Sequence, residues 1–207
     1  MFRYGPGKGR RFSVMVREQQ KKLPIFEAAM AVFSEKGFEK ATVDEIAERA
    51  GIAKGTIYYN YGSKRELFLS LVEEGIERLE NAVKKEIARR KSIPAKLESL
   101  ITVQLRFFDD YKNYCKVLLS EVWGQETRWE ETARQIRSGY LSIIRELIDV
   151  GKKEGIIKKE LETATATSAL FGMVGIAALD WFLFEKEYPY DDILNTLKTL
   201  FFTGASC

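Results

Sequence analysis

The residues best placed to do chemistry lie in one short run, Ala53-Lys-Gly-Thr-Ile-Tyr-Tyr59. An ammonium at Lys54 can neutralise a phosphate. Thr56 offers a hydroxyl that donates and accepts, and a methyl that can meet a thymine. Tyr58 and Tyr59 carry hydroxyls on rigid, flat arms that can reach a nucleic-acid backbone or a base edge. Ile57 takes the core position of such a helix, so these four side chains cannot all point inward. Gly55 lets a backbone approach closely. Lys64 follows in the first turn of the next helix, where a cation opposes the helix dipole. A phosphate contact would offset that small cost. Together these groups fit a groove of double-stranded DNA.

The flanking sequence supplies the elements that would hold this run. Leu23, Phe26, Ala29, Met30 and Phe33 recur at a spacing of three and four and predict a helix over 17–36. Gly37 ends it, and Phe38 packs back. Thr42-Val-Asp-Glu45 is a capping box that opens a second helix. That helix stops at Ala50-Gly51, where glycine allows the tight turn. The third helix covers 53–59, anchored by Ile52 and Ile57. Ser63-Lys-Arg-Glu66 is a second capping box, opening a long helix to about Arg90 with an apolar stripe from Phe68 to Ile87.

Beyond it, Ser92 and Pro94 mark a restart. Helices are predicted over 95–111, 114–123, 128–154, 163–184 and 191–202, giving an all-α chain of about nine helices. The 163–184 helix is apolar almost all round and must be covered on both sides. A partner chain most easily supplies the second side, so 163–184 and 191–202 are the expected homodimer interface. The same helix is long enough to span a bilayer. Its threonines, its small residues and the acidic residues at both ends favour a buried interface helix over a membrane span.

Composition bounds the function. The chain has 207 residues, 45% of them apolar, and a formal net charge of +3. Residues 1–67 hold 13 Lys+Arg against 8 Asp+Glu, while the remainder is mildly acidic. A basic N-terminal third suits a phosphate-facing domain on a separate scaffold. The chain has no histidine, which removes the commonest general base and transition-metal ligand. No Cys-His pair, Gly-x-Ser-x-Gly elbow or metal-ligand cluster suggests an enzyme, and neither metal nor cofactor is expected. Cys115 and Cys207 do not make a disulfide framework, which fits a cytoplasmic location. Residues 1–16 are expected to be a flexible basic tail. The Gly5-Pro-Gly-Lys-Gly9 run lacks the preceding strand and the Lys-Ser/Thr ending of a phosphate loop.

The pattern Thr42-x-x-x-Ile46-Ala47-x-x-Ala50-Gly51-x-x-Lys54-Gly55-Thr56-x-Tyr58-x-x-Tyr61-x-Ser63-Lys64-x-x-Leu67 resembles the N-terminal domain of the TetR family of bacterial transcriptional regulators. Gly151-Lys-Lys-Glu-Gly155 and the apolar 163–184 helix are similar to its less specific C-terminal half. The resemblance implies a helix-turn-helix DNA-binding domain over 17–67 and a helical effector-binding and dimerisation domain over 68–207. It implies a homodimer on a palindromic operator, and a repressor released by a small, largely apolar effector. By the same resemblance, Thr42, Lys54, Gly55, Thr56, Tyr58, Tyr59 and Lys64 are the DNA-contacting positions. Phe108, Tyr140 and Trp181 are the expected lining of the effector pocket. Ala53, Asn60 and Tyr61 depart from the family's usual Ser/Thr, His and Phe. A DNA-organising protein without a regulatory role, a helical enzyme and a membrane-associated protein are the rival classes.

Overall fold

The computed structural model describes the backbone of residues 9–122, 139–183 and 189–205, and side chains over 25–117, 139–182 and 189–205. The described residues form nine helices and no strand: α1 (Gly9–Lys40), α2 (Val43–Ala50), α3 (Lys54–Tyr61), α4 (Lys64–Ile87), α5 (Ile93–Asp110), α6 (Lys112–Val122), α7 (Tyr140–Lys153), α8 (Thr163–Leu183) and α9 (Tyr190–Ala205). The chain divides into two compact units, Met1–Leu71 and Val72–Cys207, and the division falls within α4. The tail over 1–8, the 128–138 start of the seventh predicted helix, and Cys207 lie outside the described residues.

The helical course of α1 begins at Gly9, so the expected flexible tail is revised for residues 9–16. Between Pro6 and Pro24 no proline interrupts the chain, and Pro24 withholds one intrahelical donor within α1. Gly37, at φ 75 and ψ 162, breaks the helical course near its end. Phe38 then turns inward, and its ring lies 5.6 Å from Phe33 and 5.1 Å from Phe68. With Phe26, Met30, Ile46, Ile57, Leu67 and Leu71, these rings form the core of the N-terminal unit.

In the C-terminal unit α5 is the central element. It packs against α6, α7, α8 and α9 and buries Leu97, Leu100, Ile101, Leu105, Phe107 and Phe108. Ser92 Oγ accepts from the Ala95 N–H and caps it. Glu162 caps α8 by accepting from the Ala164 and Thr165 N–H groups, which hold its carboxyl at about 2. Cys115 is buried, and burial pushes its thiol up.

One close approach fixes α6 against α4. Tyr114 is buried and donates its hydroxyl to the Val72 carbonyl at 2.8 Å. A Cβ at position 75 would fall 2.2 Å from the Tyr114 ring, so only glycine leaves the ring its place. Gly75→Ala is therefore expected to lower the unfolding free energy by about 1–3 kcal/mol through overpacking, read from a urea melt. In a Tyr114→Ala background the same change should cost much less, and additive losses would show that the two residues do not meet.

Candidate nucleic-acid interface

The turn that presents α3 is built by local chemistry. Thr42 Oγ1 accepts from the Glu45 N–H at 3.3 Å, and Glu45 Oε2 accepts from the Thr42 N–H at 3.1 Å, completing the capping box. At the other end of α2, Gly51 sits at φ 66 and ψ 31, a left-handed conformation that disfavours other residues. Its N–H and that of Ile52 satisfy the Glu48 and Ala47 carbonyls. Exposed ion pairs Lys36–Glu45 and Arg49–Glu35, each 2.6 Å, link α1 to α2 and contribute little individually.

The third helix then runs Lys54–Tyr61, two residues past the expected end at 59, and carries no side-chain cap at Ala53. Only Ile57 and Tyr61 are buried. Tyr58 is 43% and Tyr59 90% exposed, large aromatic surfaces open to solvent. Lys54, Gly55 and Tyr59 are exposed and Thr56 half-buried. Asn60 is folded back, donating Nδ2 to the Thr56 carbonyl at 2.8 Å.

Gly55 is not explained by the protein's own packing. A Cβ built there meets nothing within 4 Å, and its φ is not positive. Glycine in a helix is less favourable than alanine by about 0.5–1 kcal/mol, so an unforced glycine on an exposed helix suits close approach by something outside the chain.

Two lysines expected to meet phosphate differ sharply. Lys54 Nζ lies 2.7 Å from Asp44 Oδ2 and 5.9 Å from the Tyr58 ring centroid, with both partners of the ion pair about half exposed or more. Asp44 raises the ammonium's pKa. A solvated pair of this kind contributes about 0–1 kcal/mol, and a phosphate can displace it. Lys64 Nζ instead donates to the carbonyls of Phe38, Glu39 and Ala41 at 2.8, 3.1 and 3.0 Å. It also lies 4.6 Å from the Phe38 ring centroid. All three of its protons are used. The cation that opposes the dipole of α4 sits against the negative end of α1, where a cation is favourable.

The aromatic body does not gather the expected pocket residues in one place. Phe108 and Tyr140 are buried and meet through Phe171, whose ring centroid lies 6.4 Å from Phe108 and 5.8 Å from Tyr140. Trp181 lies ten residues further along α8, about 15 Å at the helical rise. It faces Tyr190 at 6.0 Å and lines a separate groove of about 580 Å³ with Met173, Ile176, Ala177, Ile193, Leu197 and Leu200. Gln104, fully buried on α5, was not legible beforehand: a lone glutamine in an apolar helix carries no spacing signal. Among the described residues, no cluster of three or more His, Cys, Asp or Glu could hold a metal ion.

A capped second helix, a left-handed glycine turn and a short basic, tyrosine-bearing third helix define a helix-turn-helix DNA-binding protein. The profile described as "Bacterial regulatory proteins, tetR family" matches residues 25–71, and that described as "YsiA-like protein, C-terminal region" matches residues 72–204. The chain belongs to the tetR family and is a transcriptional regulator. It is 25% identical over 190 residues to the fatty acid metabolism regulator protein of Bacillus subtilis (strain 168), covering 92% of this chain and 98% of that one. Among solved structures it is similar to the fatty acid degradation regulator FadR of Bacillus halodurans, with TM-score 0.81, 25% identity, and 87% and 97% of the two chains covered. It is also similar to FadR of Bacillus subtilis in complex with stearoyl-CoA, with TM-score 0.80, 24% identity, and 88% and 98% covered.

The contrast between the lysines is measurable. Lys54→Ala should flatten the slope of log affinity against log salt by about one unit with stability nearly unchanged. Lys64→Met should lower the unfolding free energy by about 1–3 kcal/mol and leave that slope alone. A flattened slope for Lys64→Met with an intact urea melt would put its ammonium on phosphate instead.

Proposed function

We propose that this regulator is a repressor that binds a two-fold operator as a homodimer and leaves it when a long acyl chain occupies the aromatic core of its C-terminal unit. The observation that carries the DNA half is α3 itself: an exposed Lys54, Tyr58 and Tyr59 and a half-buried Thr56 around a glycine the fold does not require. Thr42 supports it, since its hydroxyl accepts in the capping box and keeps its proton for a phosphate. We assign Thr42, Lys54, Gly55, Thr56, Tyr58 and Tyr59 to the DNA contact, and Lys64 to holding the elements that present them.

The dimer reading rests on α8 and α9. Among the described residues one helix, Thr163–Phe182, is long and apolar enough to cross a membrane by length and composition, yet only 22% of its most apolar window is buried within the chain. Ile176 and Leu200 are 51% and 57% exposed beside the groove that includes Trp181. A second copy covering that groove explains an exposed apolar face on a helix that also carries Asp180. On a two-fold operator the two α3 helices of a dimer enter successive major grooves, about 34–36 Å apart.

The acyl reading is supported by the Phe108–Phe171–Tyr140 cluster and by the named function of the fatty-acid regulators that this chain resembles over most of its length. Ligand binding would favour a state with a different bearing of α4, and a coupling of about 1–3 kcal/mol changes DNA affinity about 5–150-fold.

Two outcomes test the DNA and dimer halves. Gly55→Ala should stabilise the chain by about 0.5 kcal/mol while weakening operator binding, and Tyr59→Ala should lose more affinity on the selected site than on random duplex. A Gly55→Ala protein with unchanged affinity would remove the close-approach argument. Leu200→Glu should shift sedimentation to the monomer and lower affinity for a two-fold site far more than for a half-site.

A further inference from the structure

Three polar side chains are buried among the described residues: Ser99, Gln104 and Thr167. Two are explained locally. Ser99 Oγ accepts from Arg90 Nε at 2.9 Å, and Thr167 donates to the Thr163 carbonyl of its own helix at 2.7 Å. Gln104 is different, because it joins three helices. Its Nε2 donates to the Phe171 carbonyl of α8 at 3.0 Å, and its Oε1 accepts the Tyr140 hydroxyl of α7 at 2.8 Å. Gln104 and Tyr140 are 0% and 1% exposed, and their surroundings on α5 and α7 are Leu100, Ile101, Phe108 and Ile144, all buried.

Stability alone does not require this link, since replacing both partners of a buried hydrogen bond by apolar groups of the same shape is nearly neutral. The link also has capacity to spare. Gln104 Nε2 has a second proton, and the Tyr140 oxygen has lone pairs beyond the proton it gives. An acyl chain seated on the Phe108–Phe171–Tyr140 cluster, as proposed above, meets this link, because Tyr140 belongs to both. A pure hydrocarbon there would part the pair and leave buried donors unmet. A carbonyl oxygen instead accepts the second Gln104 Nε2 proton and leaves the Tyr140 bond in place.

We propose that Gln104 and Tyr140 form the polar reader of the effector site: Gln104 donates its second Nε2 proton to the carbonyl at the head of an acyl chain, and Tyr140, by donating to Gln104 Oε1, holds that amide in place. The assignment rests on the acyl reading given above and adds to it a chemical requirement: the effector needs an acyl carbonyl as well as its chain. A site built on hydrogen bonds rejects an analogue lacking the bonded group far more strongly than an apolar pocket rejects a missing methylene. A free fatty acid and an acyl thioester both carry that carbonyl.

The test is binding of stearoyl-CoA, stearate and S-octadecyl-coenzyme A, a thioether with the same chain and head but no carbonyl, to the full-length protein. Titration calorimetry and release from operator DNA are the readouts. Wild type should prefer stearoyl-CoA over the thioether by about 10-fold or more. Stearate binding with the same preference over octadecanol would identify the free acid as a source too. In Tyr140→Phe, which keeps the ring and the fold, and in Gln104→Leu, the preference should collapse to about threefold or less while the thioether binds as before. Thermal melts and operator affinity check that both variants are folded. If wild type binds thioester and thioether equally, or if Tyr140→Phe keeps the full preference, the pair is a structural tie and the assignment is wrong. If wild type binds neither acyl ligand, the acyl reading itself fails, and this inference falls with it.

Discussion

The N-terminal unit depends on one ammonium ion. Between residue 41 and residue 64 the chain makes two eight-residue helices, α2 and α3, which contribute only five buried side chains between them. Helices that short are marginal in water on their own. They hold their angle because the segments on either side, the end of α1 and the start of α4, are fastened together. The Phe33–Phe38–Phe68 cluster supplies the apolar part of that fastening and Lys64 the polar part, gathering the Phe38 and Glu39 carbonyls at the broken end of α1 and the Ala41 carbonyl just beyond it. Position 64 therefore fixes where Lys54, Thr56 and Tyr59, the proposed DNA contacts, stand.

Much of this was legible from the chain because it is local. The capping box at Thr42–Glu45, the turn at Gly51 and the uncapped start at Ala53 each depend on residues within five positions, and the structure has each in place. Most predicted helices begin and end within a few residues of those found, since glycine, proline and serine punctuate them. What escaped is what needs distance. The carbonyls that claim Lys64 lie 23 to 26 residues away, and Tyr140 lies 36 residues from Gln104. Aromatic residues at helical spacing looked like one lining. Trp181 parted from Phe108 and Tyr140 because ten residues of helix separate it from Phe171, an axial offset that composition does not reveal. Gly75 was equally silent, since its reason is a tyrosine on another helix.

The two units use polar groups in opposite ways. On α3 they stand outside, bound weakly or not at all within the chain, and are available to a partner. In the C-terminal unit the polar link at Gln104 is sealed among apolar side chains, with each of its groups bonded within the chain. An exposed ion pair such as Lys54–Asp44 exchanges at little cost, whereas a buried neutral pair resists any visitor that cannot replace it. Recognition of a charged polymer and of an apolar small molecule therefore ask different things of the same few residue types.

The uncovered face of α8 and α9 has one more consequence. With a second copy seated on it, as proposed, the DNA-competent species forms in proportion to the square of the free protomer, and mass action joins its stability to its abundance. Cellular copy number then becomes an input alongside any metabolite. Near the dissociation constant of the pair, a modest fall in synthesis empties operators disproportionately, so dilution at each cell division would itself act as a signal, read through Ile176 and Leu200 rather than through any ligand.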